Sequence, residues 1–323
     1  MTLRVDWLEA PPMRAAELVR AHGDDVAWVV DPCRDEWTLG FGAAVDATAS
    51  ATRGLDHLAR TVGQTAVDAS ADAGSAVACG GAVWLGAAPF DPVRASGGVW
   101  GVRPAARWVV PEVVFMRRGT HPSRGDASTL CAVAGARDRD DALRRRDAAV
   151  ARWRRFEPGK YTGPSSLRSE CLESRKDFRD RVAAAVRAIA AGQCQKLVLA
   201  RADRITGEAG FDPARIQERL AKAEPEAVRF SFPLADGTML GASPERLVRI
   251  EGGELSAAAV AGSAARAEDP VQDRERARAL VDSKKDQEEH AWVRDHVSDV
   301  LAALAPDLDW PEAPGVLSTR TVH

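Results

Sequence analysis

The run Ser283-Lys284-Lys285-Asp286-Gln287-Glu288-Glu289-His290 places two carboxylates and an imidazole, Asp286, Glu289 and His290, at helical spacing. The surrounding residues 273–304 are rich in Ala, Arg, Glu, Leu and Gln and contain no Gly or Pro, so they read as one long helix. Val293, Val297, Leu301 and Leu304 follow at spacings of four and three and mark a stripe expected to be buried. Extended backwards, that face meets Asp286, Glu289 and His290. Unpaired charge is costly to bury. A divalent cation would meet the cost; so would ion pairs with Lys or Arg, or a solvated helix end.

Three upstream stretches carry further candidates. Lys196 opens the apolar run Leu197-Val198-Leu199-Ala200. A lysine there either faces solvent or sits where low dielectric lowers its pKa and makes it a base. In Gly241-Ala242-Ser243-Pro244-Glu245-Arg246-Leu247, small residues and a proline mark a bulge that would re-aim Glu245. Glu245 is either a general acid or a surface carboxylate paired with Arg246 or Arg249. Gly262-Ser263 ends a strand and offers backbone N–H groups and a hydroxyl, suited to an anion or simply forming a loop. No Ser-His-Asp set, Walker loop, zinc spacing or H-E-x-x-H pair is visible. Gly40-Phe41-Gly42 lacks the third glycine of a nucleotide loop and reads as close strand packing.

The elements that must position these residues form a mixed pattern. Strands are expected at residues 26–31, 37–45, 108–117 (an edge or bulged strand, because Pro111 lies inside) and 129–134. Residues 14–22 and 53–62 read as short helices, and 139–155 as a charged one. Gly, Pro and Ser cluster in 156–169, the best linker. A helix then starts at Ser174, with Phe178, Val182, Val186 and Ile189 as its buried stripe and Gly192 as its end. Next come a strand at 195–201, a helix capped by Asp212 with Pro213 first, and a hairpin from 228–234 to 238–250. A further strand is expected at 255–261. Hairpin strands with long helices indicate an α+β fold.

Bulk properties narrow the classes. The chain has 323 residues, 45% of them hydrophobic and 28% charged, and a net charge of −3. This is a normal globular balance without the basic surplus of a nucleic-acid binder. Five scattered cysteines without a C-x-x-C pair fit a reducing compartment. No apolar run approaches membrane-spanning length and no signal-peptide core is present, so a cytoplasmic protein is expected.

The four stretches Lys196-Leu197-Val198-Leu199-Ala200-Arg201, Gly241-Ala242-Ser243-Pro244-Glu245, Ala261-Gly262-Ser263 and Lys285-Asp286-Gln287-Glu288-Glu289-His290 resemble, in this order, the chorismate-utilising enzyme family. Gly80-Gly81-Ala82 with Gly86 and Phe90-Asp91-Pro92 is similar to the family's glycine-rich strand. Lys196 with the Lys-Asp-x-x-Glu-His pattern resembles isochorismate and salicylate synthases most; Gly262-Ser263 stands where the family usually has Gly-Thr. The resemblance implies layered antiparallel β-sheets flanked by helices, and conversion of chorismate to isochorismate for menaquinone or siderophore synthesis. Salicylate synthase or another chorismate-utilising enzyme is the alternative. It implies Lys196 as the base that activates water for attack at C2, and Glu245 as the acid that protonates the departing C4 hydroxyl. Gly262, Ser263 and His290 would bind substrate, and Glu289 would hold Mg²⁺. A glutaminase subunit is not implied.

The resemblance also implies a division: an N-terminal half at 1–155, a linker at 156–173 and a chorismate-binding region at 174–323. The family continues past a stretch that Thr321-Val322-His323 resembles, and its further region supplies another metal-binding Glu, an Arg and glycine-rich backbone. The chain is therefore expected to be a fragment or truncated product, or else a non-catalytic remnant or binding protein.

Overall fold

A computed structural model describes residues 2–10, 13, 25–49, 60, 64–71, 82–88, 106–117, 129–155, 164, 166–208, 210–234, 237–251, 253–305, 307–311 and 313–323. The helices expected at 14–22 and 53–62, the Gly80-Gly81 pair and Phe90-Asp91-Pro92 lie wholly or largely outside these. The chain divides into two compact units, 1–157 with 213–323, and 158–212. Where the sequence suggested two halves joined at 156–173, residues on both sides of that stretch share the first unit.

In chain order, the first unit begins with β1 (Thr2–Glu9), β2 (Val26–Asp31), β3 (Glu36–Phe41), β4 (Val45–Ala49), β5 (Ala66–Ala71) and β6 (Leu85–Ala87). It continues with β7 (Ala106–Val110), β8 (Val113–Arg117), β9 (Thr129–Ala134) and the helix α1 (Arg139–Trp153). The second unit holds β10 (Leu167–Cys171), α2 (Arg175–Ala190) and β11 (Asp203–Gly207). The first unit resumes with α3 (Pro213–Ala223), β12 (Val228–Leu234), β13 (Gly237–Ser243), β14 (Arg249–Glu251), β15 (Glu254–Ser256), α4 (Pro270–Asp282) and α5 (Lys284–Ala302).

An eight-stranded sheet in the order β13-β12-β2-β3-β8-β9-β1-β5 forms the first unit's centre. Its pairs are antiparallel except for β1 with β5. A three-stranded sheet, β4-β7-β6, accompanies it. Strand alternation builds the core. Phe115 joins Trp28, Leu39, Val133 and, from α1, Ala142, Val150 and Trp153 on one face. Its neighbours Val114 and Met116 pack on the other with Val5, Trp7 and Val110. The Asp138 carboxylate caps α1 by accepting from the Asp141 N–H at 2.7 Å.

Residues 26–31 and 129–134 form strands as the sequence predicts. Residues 108–117 do not form one edge strand. Proline has no N–H for a ladder, and at Pro111 the chain passes from β7 in the small sheet to β8 in the interior of the large one. Gly40 explains itself by close approach: a Cβ there would come within 2.4 Å of Pro111 Cγ.

In the second unit, the stretch expected to be a linker contains β10, antiparallel to β11. Ser174 caps α2, accepting from the Asp177 N–H at 3.1 Å. The expected buried stripe of α2 is not buried: Val182, Val186 and Ile189 are exposed, and among the described residues nothing covers them. Residues 195–201 are not a strand. A strand needs a ladder partner, none pairs here among the described residues, and Val198 is 81% exposed.

Two further corrections concern the candidate residues directly. The strand returning from the hairpin ends at Ser243 instead of running through a bulge to Ile250; β14 begins afresh and pairs with β15. The long helix is two helices. Ser283 takes an extended conformation, φ −72° and ψ 110°, and its hydroxyl accepts from the Asp286 N–H, capping α5. Serine competes for backbone hydrogen bonds in this way, so helical composition alone does not keep the run continuous. No helix among the described residues is long and apolar enough to cross a membrane.

Candidate active site

Residues 259–263 lie along the first turns of α5. Gly262 has φ +82°, and a Cβ placed on it would come within 3.3 Å of Asp286 Cβ. One turn further on, His290 Nε2 lies 3.2 Å from the Ala259 carbonyl oxygen. The structure thus joins two of the four sequence stretches, Ala261-Gly262-Ser263 and the α5 start. Ser263 beside Gly262 is exposed, while Asp286, Glu289 and His290 are half-buried.

The stripe along α5 is graded. Leu301 is buried, Val293 and Val297 are half-buried, and Leu304 is exposed. At its polar end an exposed lysine approaches both carboxylates. Lys285 Nζ lies 3.4 Å from Asp286 Oδ1 and 3.8 Å from Glu289 Oε2. Contact with the Ser283 hydroxyl and the Lys285 ammonium holds the Asp286 carboxyl below the usual carboxylate range, against the effect of burial. Among the described residues no three His, Cys, Asp or Glu side chains cluster as metal ligands do. Glu289 with Asp286 is a partial donor set, too small by itself for the six oxygens Mg²⁺ favours.

Glu245 sits in the loop that follows β13. Its N–H donates to the Ser243 hydroxyl at 3.2 Å, and that hydroxyl donates to the Glu245 carbonyl at 3.0 Å. This local turn, with Pro244 inside it, exposes the Glu245 side chain at a cavity of about 1070 Å³. Neither neighbouring arginine pairs with it. Arg246 binds Asp31, and Arg249 binds Glu36 at 2.9 Å and Glu251 at 2.9 Å. Burial pushes the Glu36 carboxyl up, but Arg249 and Arg34 outweigh it and hold the group below its ordinary range. The same wall carries Trp37, Trp84 and Phe230, so the cavity combines aromatic surface with fixed ion pairs. His290 lines a different cavity of about 1020 Å³; Ile250 and Glu254 border both.

Lys196 belongs to the second unit. It is half-buried in the irregular segment between α2 and β11.

Sequence reasoning missed one cluster. Asp273 on α4 receives Arg266, the Ala267 N–H and His323, and His323 Nδ1 lies 2.9 Å from the Ser318 hydroxyl. The Ser-His-Asp set absent from any sequence motif is therefore present as a chain of contacts. Its members are 45 to 50 residues apart or share a short local turn, which no linear pattern signals.

Known proteins resemble the chain. It is 40% identical over 147 residues to a putative isochorismate synthase of Aeromonas hydrophila, 45% of this chain and 37% of that protein. It is 38% identical over 154 residues to the isochorismate synthase EntC of Escherichia coli K12, 47% of this chain and 39% of that protein. The matched stretch thus spans well under half the length of these relatives. In fold the chain is similar to MenF, the menaquinone-specific isochorismate synthase of Escherichia coli. The TM-score is 0.72 at 21% identity, covering 99% of this chain and 68% of that one. The mixed sheets and flanking helices are thus the fold of the chorismate-utilising enzymes. The model of the chorismate binding enzyme family matches residues 1–323, and the chain belongs to that family.

Proposed function

We infer that the chain converts chorismate to isochorismate. The observation that supports this reading is the approach of Gly262 to Asp286 at the start of α5, one turn before His290, which lies 3.2 Å from the Ala259 carbonyl oxygen. The 38–40% identity to isochorismate synthases supports it.

The roles are those that the resemblance to isochorismate synthases implies. Water attacks C2 of the ring, the double bonds shift, and the C4 hydroxyl departs as water. Lys196 takes the proton of the attacking water; this requires the neutral amine. Glu245 gives a proton to the departing hydroxyl; this requires the protonated carboxylic acid. Backbone N–H groups at Gly262 and Ser263, the Ser263 hydroxyl and His290 bind the substrate's carboxylates and hydroxyl. Glu289 supplies one carboxylate toward a Mg²⁺.

The relatives' names point to more than one use of isochorismate: MenF is menaquinone-specific, and another relative, 36% identical over 145 residues, serves salicylate biosynthesis in Pseudomonas aeruginosa. The proposed product is isochorismate, formed without a glutaminase subunit. Chromatography of the products after incubation with chorismate and Mg²⁺ tests it. Isochorismate as sole product is the expected result. Salicylate would move the assignment to salicylate synthase, and neither turnover nor chorismate binding would identify a non-catalytic protein.

A further inference from the structure

The turn proposed to bind substrate is exposed at Ser263, yet the backbone that follows it is tied down strongly. Ala264 and His323 exchange both backbone hydrogen bonds, the Ala264 N–H to the His323 carbonyl at 3.2 Å and the reverse at 2.9 Å. The Arg266 N–H donates to the Thr321 carbonyl at 3.3 Å. These bonds make a short antiparallel bridge, Ala265 with Val322, next to the turn.

Helix α4 grips both sides of this bridge. Asp273 accepts from Arg266 through Nε at 3.0 Å and the terminal nitrogen Nη2 at 2.7 Å, a two-pronged pairing. It also accepts from the Ala267 N–H at 2.8 Å and contacts His323 Nε2 at 2.9 Å. One carboxylate therefore binds both strands, Arg266 and Ala267 on the first and His323 on the second. One helical turn on, Arg276 donates to the carbonyls of Ala265 at 3.2 Å and Arg266 at 2.7 Å. Arg266 closes the set by donating to the Thr319 carbonyl.

Ser318, His323 and Asp273 also stand in the order of a nucleophile relay, but the contacts argue against that use. The Asp273 charge is already met by the Arg266 guanidinium, which leaves little to stabilise an imidazolium. An ionised carboxylate only accepts, so in the neutral ring Nε2 carries the hydrogen and Nδ1 accepts from the Ser318 hydroxyl; a relay would use this same tautomer, and it is the Arg266 pairing and the burial of His323 that count against it. His323 is nearly fully buried, so Ser318 has no open imidazole beside it.

We propose that Asp273 is a positioning residue: by clasping Arg266, Ala267 and His323 it fixes the bridge that holds the Gly262–Ser263 turn in its substrate-binding shape. This rests on the reading of that turn as part of the chorismate site. A turn that binds the substrate and its transition state alike affects affinity more than turnover.

The test uses Asp273→Asn, which keeps size and loses the charged double acceptor, and Arg266→Lys, which keeps charge and loses the two-pronged geometry. Amide hydrogen exchange at Ala264 and His323 is measured on the whole chain, together with chorismate affinity in the presence of Mg²⁺. Both variants are expected to speed exchange at these two amides about tenfold, to leave α5 protected, and to weaken chorismate binding about tenfold. The double variant is expected to be no worse than either single one, because both break the same contact. Unchanged exchange at Ala264 and His323 would overturn the proposal, as would faster exchange with unchanged affinity. If the unaltered chain binds no chorismate, the site assignment fails, and the exchange rates still decide whether Asp273 holds the turn.

Discussion

Gly262 and Asp286 are in contact across two separate sequence stretches: a Cβ on Gly262 would lie 3.3 Å from Asp286 Cβ, and the glycine backbone is left-handed at φ +82°. Both facts disfavour a side chain. Gly262→Ala should lower stability by about 1–2 kcal/mol from the backbone conformation alone. Urea unfolding followed by circular dichroism measures this, and an unshifted midpoint would contradict the geometry.

Ser283 separates α4 from α5 through its hydroxyl bond to the Asp286 N–H. Ser283→Ala removes the cap and should cost about 1 kcal/mol of stability. A gain in stability and helix content would instead mean that the two helices fuse when the competing hydroxyl is gone.

Cys131 is fully buried, and burial pushes its thiol up to about 12, because the thiolate cannot be hydrated there. Cys33 and Cys171 are exposed. Iodoacetamide at pH 8 should modify the exposed pair and spare Cys131 until the protein unfolds. The sign of the pH effect follows. The folded value lies above the unfolded one, so this group's contribution to stability is complete below pH 9 and is lost progressively as pH rises from 9 toward 12. Peptide mass mapping that found Cys131 alkylated in the folded protein would contradict its placement.

Lys196 stands in a segment without a ladder, so Lys196→Ala should leave the fold largely intact. As the proposed base it should lower isochorismate formation at least about 100-fold. An unchanged circular dichroism spectrum with turnover retained would remove Lys196 from its role.

The sequence was most legible where local pattern and burial coincide. Residues 26–31 and 129–134 alternate or run apolar and sit mid-sheet, and both form strands at the expected places. The Ser174 cap and the Pro213 start followed from short-range chemistry. Failures came where a distant partner decides. Residues 195–201 have strand composition but no ladder among the described residues, and the α2 stripe has no cover among them. Residues 108–117 looked continuous, yet Pro111 hands the chain from one sheet to another. In the site, the order of motifs indicated the family, whereas the contact of Gly262 with Asp286 and the Asp273 clasp depend on chain segments meeting in space.

The most direct measurement is the reaction of chorismate and Mg²⁺ with the chain in water enriched in heavy oxygen, followed by mass spectrometry of the product. Attack of solvent water at C2 with loss of the C4 hydroxyl predicts isochorismate carrying one heavy oxygen per molecule. Unlabelled isochorismate would contradict the roles given to Lys196 and Glu245, and the absence of isochorismate would contradict the proposed activity itself.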